Sequence, residues 1–232
     1  MPCCYSGRVK SRPPSSVAVP VAGGVLLDSR RALVHVEQGW MALADLHYGY
    51  ELRRRRAGAL LPDWGMPQCE ETLVALLNEH RPRRLILVGD VMDGSGSLKE
   101  TLGLLERLGR LTELVCIEGN HDSAGLRKAA SMVTGWLEPG FVFEHGHRPL
   151  STNPPPGVTI TGHEHPALRI GDGAGLRLKL PALVMEGRTD GSRRWILPAF
   201  SPWAAGGEYK PEAAGAVLTT WACAPGRVWK AF

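Results

Sequence analysis

The stretch "RLILVGD", residues 84–90, constrains this chain more than any other. Consecutive apolar side chains over a strand's length, with no polar alternation, are what a strand covered on both faces requires. The run then breaks abruptly into Gly89 and Asp90. "ELVCIEGNHD", residues 113–122, repeats the arrangement. Between them "SLKETLGLLERLG" has helical spacing, with Ser97 and Glu100 placed as a capping box. Upstream, Pro67 opens "QCEETLVALLNEH", whose acids fall in the expected first turn and whose apolar residues recur at 73, 76 and 77. "GVLLD" and "ALVHV" read as short strands around a turn at 29–31, and "WMALAD" as a third. Strand alternating with helix predicts an α/β fold with parallel strands.

Beyond "FVFEHGH" the texture changes. "VTITG", "ALRIG", "LRLKLP", "RRWILP" and "AVLTTW" are short apolar runs punctuated by Gly and Pro, which predicts a second, mostly antiparallel sheet. "TNPPPG" reads as a stiff local loop. One two-sheet domain over 21–232 accounts for the chain, with residues 1–20, rich in Pro, Ser and basic side chains, as a flexible N-terminal segment.

Composition excludes several classes. Of 232 residues, 44% are hydrophobic and 22% charged, the balance of a soluble globular protein. A net charge of +4 suits anionic substrates but falls short of a dedicated nucleic-acid binder. Cysteines at 3, 4, 69, 116 and 223 form no C-x-x-C pair, which argues against a zinc ribbon or disulfide framework and for a reducing cytoplasm. Arg8, Lys10 and Arg12 precede "VAVPVAGGVLL", yet Pro20, Gly23 and Gly24 break that run, so a secretory signal is not expected. No membrane association is expected, since no run approaches the ~18 apolar residues of a span.

Polar residues cluster where the strands end. Asp45 and His47 follow "WMALA", Asp90 follows "LILVG", and Asn120 with His121 follows "LVCIEG". His145 follows "FVFE", and His163 and His165 follow "VTITG". Six of the eight histidines fall in these loops. Open α/β sheets bind ligands beyond the carboxyl ends of their strands, so the loops can converge. Carboxylate, amide and imidazole suit borderline-to-hard divalent ions such as Mn, Fe, Zn or Ni. There are too many for one tetrahedral site, whereas a binuclear centre with a bridging carboxylate uses them all.

"DLH", "GDVMDG", "GNHD", "HGH" and "GHEH" resemble, in order, the five sequence blocks of the calcineurin-like metallophosphoesterases. The wider pattern, through "GHEHPALRI" and "ILPAFSPWAAGG", is similar to the DNA-ligase-associated (PdeM-type) and related archaeal-type members. The resemblance implies a four-layer α/β/β/α sandwich without a cap domain, and two divalent ions, Mn foremost. It implies hydrolysis of phosphodiester bonds by a hydroxide bridging the metals, with DNA as a candidate substrate and a ligase or helicase of DNA repair as candidate partners. Carried across, Asp45, His47 and His165 hold one metal, Asn120, His145 and His163 the other, and Asp90 bridges. His121 stands beside the scissile phosphate as the proton donor, oriented by Asp122. Asp93, which departs from the family's common residue, and His147 lie just outside the ligands, fixing their direction. A small-molecule phosphatase or nucleotide pyrophosphatase, or a weakly catalytic scaffold, are the competing readings.

"RRRR" at 53–56 follows the first metal loop. It is either a solvated face or, through Arg53 and Arg54, a contact to phosphate. "DGSGS" at 93–97 is either a phosphate-facing loop or a plain turn. Trp136, Trp195 and Trp221 sit in apolar contexts and are expected in the core.

Overall fold

A computed structural model describes residues 17–94, 97–148, 157–171, 174–175, 177–211 and 214–231. Most of the expected N-terminal segment, Ser95 and Gly96 of "DGSGS", and "TNPPP" lie outside the described residues. The first sheet has six strands in chain order: β1 (Ala18–Ala22), β2 (Val25–Asp28), β3 (Ala32–His35), β4 (Trp40–Ala44), β5 (Arg84–Val88) and β6 (Glu113–Ile117). Tight turns join β1 to β4 as antiparallel neighbours, whereas β4, β5 and β6 run parallel. Parallel neighbours need long crossovers. These are supplied by α1 (Tyr50–Arg56) with α2 (Gly65–His80), and by α3 (Leu98–Gly109). Strand β1 takes in Ala18, Val19 and Pro20, which the sequence placed in the N-terminal segment.

The second sheet follows a short helix α4 (Ala124–Ala129). It comprises β7 (Gly135–Glu138), β8 (Phe141–Glu144), β9 (Val158–Thr161), β10 (Ala167–Gly171), β11 (Arg177–Gly187), β12 (Arg193–Ile196), β13 (Val217–Ala224) and β14 (Arg227–Lys230). The order is β14-β13-β11-β12-β9-β8-β7, with β10 paired to β11 off that path. Only β12–β9 and β8–β9 are parallel, so the sheet is mostly antiparallel as expected.

Two apolar clusters explain the layering. One face of the first sheet, through Met41, Leu43, Leu85 and Leu87, packs on Leu73, Leu76 and Leu77 of α2 and Leu104, Leu105 and Leu108 of α3. Each such side chain contributes about 2 kcal/mol by leaving water. The other face, through Trp40, Ala42, Ile86 and Val88, packs on Phe143, Ile160, Leu183 and Trp195 of the second sheet. The α/β sandwich in a single domain is as expected. Its helices α2, α3 and α4 all join the first cluster, and no helix among the described residues covers the second sheet's outer face.

Local details differ from expectation for identifiable reasons. Helix α2 starts at Gly65, so Glu70 and Glu71 fall beyond its first turn. The capping box at α3 does not form, because the Ser97 hydroxyl donates to the Tyr48 carbonyl (3.2 Å). Trp195 is buried in the core; Trp136 and Trp221 are half-buried against it.

Ala44, Val88 and Ile117 stand level at the ends of β4, β5 and β6. The loop after β8 is tied to the loop after β9 by the hydrogen bond from Gly162 N to His145 O (3.1 Å). All five polar loops therefore open at one end of the sandwich.

Candidate metal centre

The backbone announces the site first. Among the described residues eight non-glycine positions have positive φ, and five of them are Asp45 (56°), His47 (44°), Asp90 (46°), His163 (71°) and His165 (45°). Left-handed backbone costs such residues roughly 1 kcal/mol or more each, and strain of that kind concentrates where side chains must be aimed. Two motif glycines make room. A Cβ on Gly89 (φ 75°) would meet His145 Nδ1 at 2.1 Å, and one on Gly119 would meet Asp90 Oδ1 at 2.1 Å.

Ligand atoms of Asp45, His47 and His165 lie within 4.8 Å of one another, as do those of Asp90, His145 and His163. In the first group His165 Nε2 is 3.4 Å from Asp45 Oδ1 and 3.3 Å from His47 Nε2. In the second, His145 Nε2 is 3.2 Å from Asp90 Oδ2 and 3.1 Å from Asn120 Oδ1. Asp90 Oδ2 also approaches His47 Nε2 at 3.9 Å, so one carboxylate oxygen faces both groups. Its other oxygen accepts from His121 N (2.8 Å), and both oxygens of Asp45 accept from His163 N (3.2 and 3.0 Å).

The donor set fits a cation. His145 Nδ1 donates to Val88 O (3.1 Å), which leaves Nε2 as a lone pair aimed at two oxygen acceptors. His47 Nδ1 is likewise turned to Asp93 Oδ1 (3.4 Å), directing Nε2 inward. Several lone pairs thus converge with no proton to satisfy them all. The electrostatics agree. Burial works against a charged His145, yet Asp90 and Asp45 outweigh it and raise its proton affinity; His47 is raised against burial by Asp93, Asp45 and Asp90. Burial also works against the Asp90 carboxylate, but the His145 hydrogen bond and charge, His121 N–H and His47 bring it to about 2. A potential that favours protons on buried imidazoles favours divalent cations as well. Two ions at these groups account for every converging donor.

The expected neighbours divide. His121 lies beside the cluster, 44% exposed at its side chain and edge-on to His47 at 5.0 Å between centroids. Asp122 does not orient it. Its buried carboxylate accepts from Met92 N (2.9 Å) and Gly119 N (2.8 Å), bracing the "GNHD" turn against the "GDVMDG" loop. Burial pushes that carboxyl up to about 6. The carboxylate nearest the His121 ring is Asp93, with Oδ1 3.6 Å from Nδ1. Asp93 thus faces both His47 and His121, and its Oδ2 accepts from Arg53 Nε (2.6 Å). His147 packs near His145 and His163, with ring centroids at 5.2 and 6.3 Å, but its buried Nδ1 has no hydrogen-bond partner among the described residues. The carbonyl of Val88, and not His147, sets the His145 ring. Arg54 is exposed and makes no contact with the cluster among the described residues.

Other supporting residues were not anticipated. Arg31 Nη1 donates to the carbonyls of Ala199, Phe200 and Ser201 (3.2, 3.2 and 3.0 Å). That segment donates from Phe200 N and Ser201 N to Ala44 O and Asp45 O (2.8 and 3.0 Å). Buried Glu51 accepts from Met66 N (2.6 Å) and Trp203 Nε1 (3.1 Å), fixing an indole beside the first ligand loop. Trp203 stacks on Tyr50 at 5.8 Å and leans on Trp64 at 4.8 Å.

Fold and site together define a metal-dependent phosphoester hydrolase. The chain belongs to the calcineurin-like phosphoesterase family, whose profile matches residues 41–183. Among solved structures it is similar to the nuclease MPE of Pseudomonas putida, with 25% identity and a TM-score of 0.68 over 93% of this chain and 100% of that one. It is also similar to the Escherichia coli phosphoesterase YfcE, with 15% identity and a TM-score of 0.42 over 78% and 86% of the two chains. No curated protein matches the sequence. No helix among the described residues is long and apolar enough to cross a membrane.

Proposed function

We propose that the chain is a binuclear-metal phosphodiesterase acting on nucleic acid as an endonuclease. The observation that carries this reading is Asp90 Oδ2 facing both ligand groups while His121 stands exposed beside them. Asp45, His47 and His165 would hold one ion and Asn120, His145 and His163 the other, with Asp90 shared. When bound, such a pair supplies charge to offset that of the phosphoryl transition state and lowers the pKa of the attacking water. The chain's residues do the rest. His121, with Nδ1 turned to Asp93, gives a proton from Nε2 to the departing alkoxide as water's oxygen bonds to phosphorus. Asp93 orients His47 and His121 together, and Arg53 holds Asp93. The nuclease MPE likeness supports a nucleic-acid substrate over a small phosphate monoester. The resemblance to ligase-associated members supports a setting in cytoplasmic DNA repair, beside a ligase or helicase.

The test is a substrate panel with Mn supplied, then chelated and restored: bis-p-nitrophenyl phosphate, p-nitrophenyl phosphate, nucleotides, and single- and double-stranded DNA. Diester and DNA cleavage that vanishes with chelator and returns with Mn is expected. Turnover confined to monoesters overturns the proposal.

A further inference from the structure

Strand β10 follows directly on the loop that carries His163 and His165, beginning two residues after His165. It pairs with β11 through Ala167↔Pro181, Leu168↔Leu180, Arg169↔Lys179, Ile170↔Leu178 and Gly171↔Arg177. Strand β11 joins β13 only from Ala182 and β12 only from Val184. Residues 167–171 and 177–181 therefore form a two-stranded arm beyond the sheet. Residues opposite one another share a face, and faces alternate along a strand. One face carries Arg169, Lys179 and Arg177, all exposed. The other carries Leu168, Ile170, Leu178 and Leu180.

Like charges directly opposite, as at Arg169 and Lys179, destabilise a ribbon. Among the described residues no carboxylate forms an ion pair with Arg169 or Arg177, and Lys179 donates only to the Gly206 carbonyl. The arrangement is costly by itself and becomes favourable beside a polyanion. Its spacing selects the polyanion. Arg169 lies four residues past His165, about 13 Å along an extended strand, and Arg177 faces Gly171, about 20 Å out. A mononucleotide phosphate at the metals cannot reach that far, whereas linked phosphates can.

The arm's root adjoins an aromatic surface. Gly207 N donates to His165 O (2.9 Å) and Ala167 N to Gly207 O (2.7 Å), so the loop bearing Trp203 runs from Asp45 to the arm. Half-buried Trp203, held by Glu51 and packed on Tyr50, supports Trp64 at 4.8 Å, and Trp64, 42% exposed, offers a face to bases freed from pairing. We propose that the β10–β11 arm binds the phosphates of an unpaired polynucleotide strand whose bases pass Trp64, the exposed member of the Trp203–Trp64 pair. This deepens the phosphodiesterase reading and rests on it.

The test compares wild type with R169Q/R177Q, leaving Lys179 on Gly206. Binding of labelled oligo(dT) to the full chain in chelator is followed by fluorescence anisotropy across a salt series; bis-p-nitrophenyl phosphate turnover is followed with Mn. Roughly tenfold weaker binding is expected, with a slope of log Kd against log salt shallower by about 1.4, since each single-strand phosphate contact contributes about 0.7. Turnover of the small diester should stay within about twofold, as a phosphate at the metals does not reach the arm. An unchanged salt slope overturns the proposal, as does loss of small-diester turnover in step with binding. Duplex binding as tight as single-strand binding overturns the unpaired strand. Wild type that cleaves the small diester but binds no oligonucleotide sinks the arm and spares the phosphodiesterase; binding without any diester cleavage supports the arm and sinks the enzyme reading.

Discussion

Gly119→Ala isolates how closely the metal loops must approach. Gly119 does not sit in left-handed backbone, so alanine is conformationally allowed there. Its Cβ would nonetheless meet Asp90 Oδ1 at 2.1 Å, Asp90 N at 2.2 Å and Asp90 Cγ at 2.8 Å. Real Cβ contacts essentially never fall below 3.0 Å, so the two loops must part by about 1 Å. None of those atoms can yield alone, because Asp90 is buried and Gly119 N is held by Asp122. A displacement near 1 Å at a reacting centre lowers turnover about 100-fold. Overpacking adds about 1–3 kcal/mol of destabilisation. Metal content of the purified variant, turnover of bis-p-nitrophenyl phosphate with Mn, and a thermal melt are the assays. Gly109→Ala, where a Cβ meets nothing within 4 Å, is the control. Should Gly119→Ala keep two equivalents of metal and near-normal turnover, the loops are not held by this contact and the reasoning fails.

The remaining predictions concern single groups. His121→Ala should retain metal while turnover drops roughly 100- to 10,000-fold; loss of metal would make His121 a ligand. Asp90→Asn should lose both ions, and a variant with two equivalents by metal analysis would remove the bridging role. Asp28 supplies a pH test away from the metals. Burial opposes its charge, but hydrogen bonds from Arg30 and His80 hold its pKa at about 2, below the unfolded value. Its contribution, on the order of 2 kcal/mol, is therefore present above about pH 4 and lost as pH falls towards 2. Melting curves of Asp28→Asn and wild type should differ at neutral pH and converge in acid; a constant gap counts against the ion pair.

The convergence of the proposed ligands was legible because each follows an apolar strand closely, so strand-end geometry brings Asp45, Asp90, Asn120, His145 and His163 together. The α/β layering was legible from unbroken runs such as "LILV". Roles set by distant partners were not. Nothing local distinguishes Asp122 bracing two backbone amides from Asp122 orienting a histidine, and the approach of Asp93 to His121 joins loops that follow different strands. Arg31 and Glu51 resemble any surface charge until residues 199–203 fold against them. Trp64 and Trp203 lie far apart in sequence, so their contact was invisible. The arm's cations became a face only once the Arg169↔Lys179 register was known.

The Arg31 clasp has a temporal consequence. It joins a turn near the beginning of the chain to Ala199–Ser201, and that same segment steadies Asp45. During synthesis the whole first sheet leaves the ribosome before its clasp partner exists. A nascent or truncated product ending after β6 would carry Asp45, His47 and Asp90 without the residues that lock and complete them. Hydrolytic capacity thus arrives late, once the polypeptide has closed on itself.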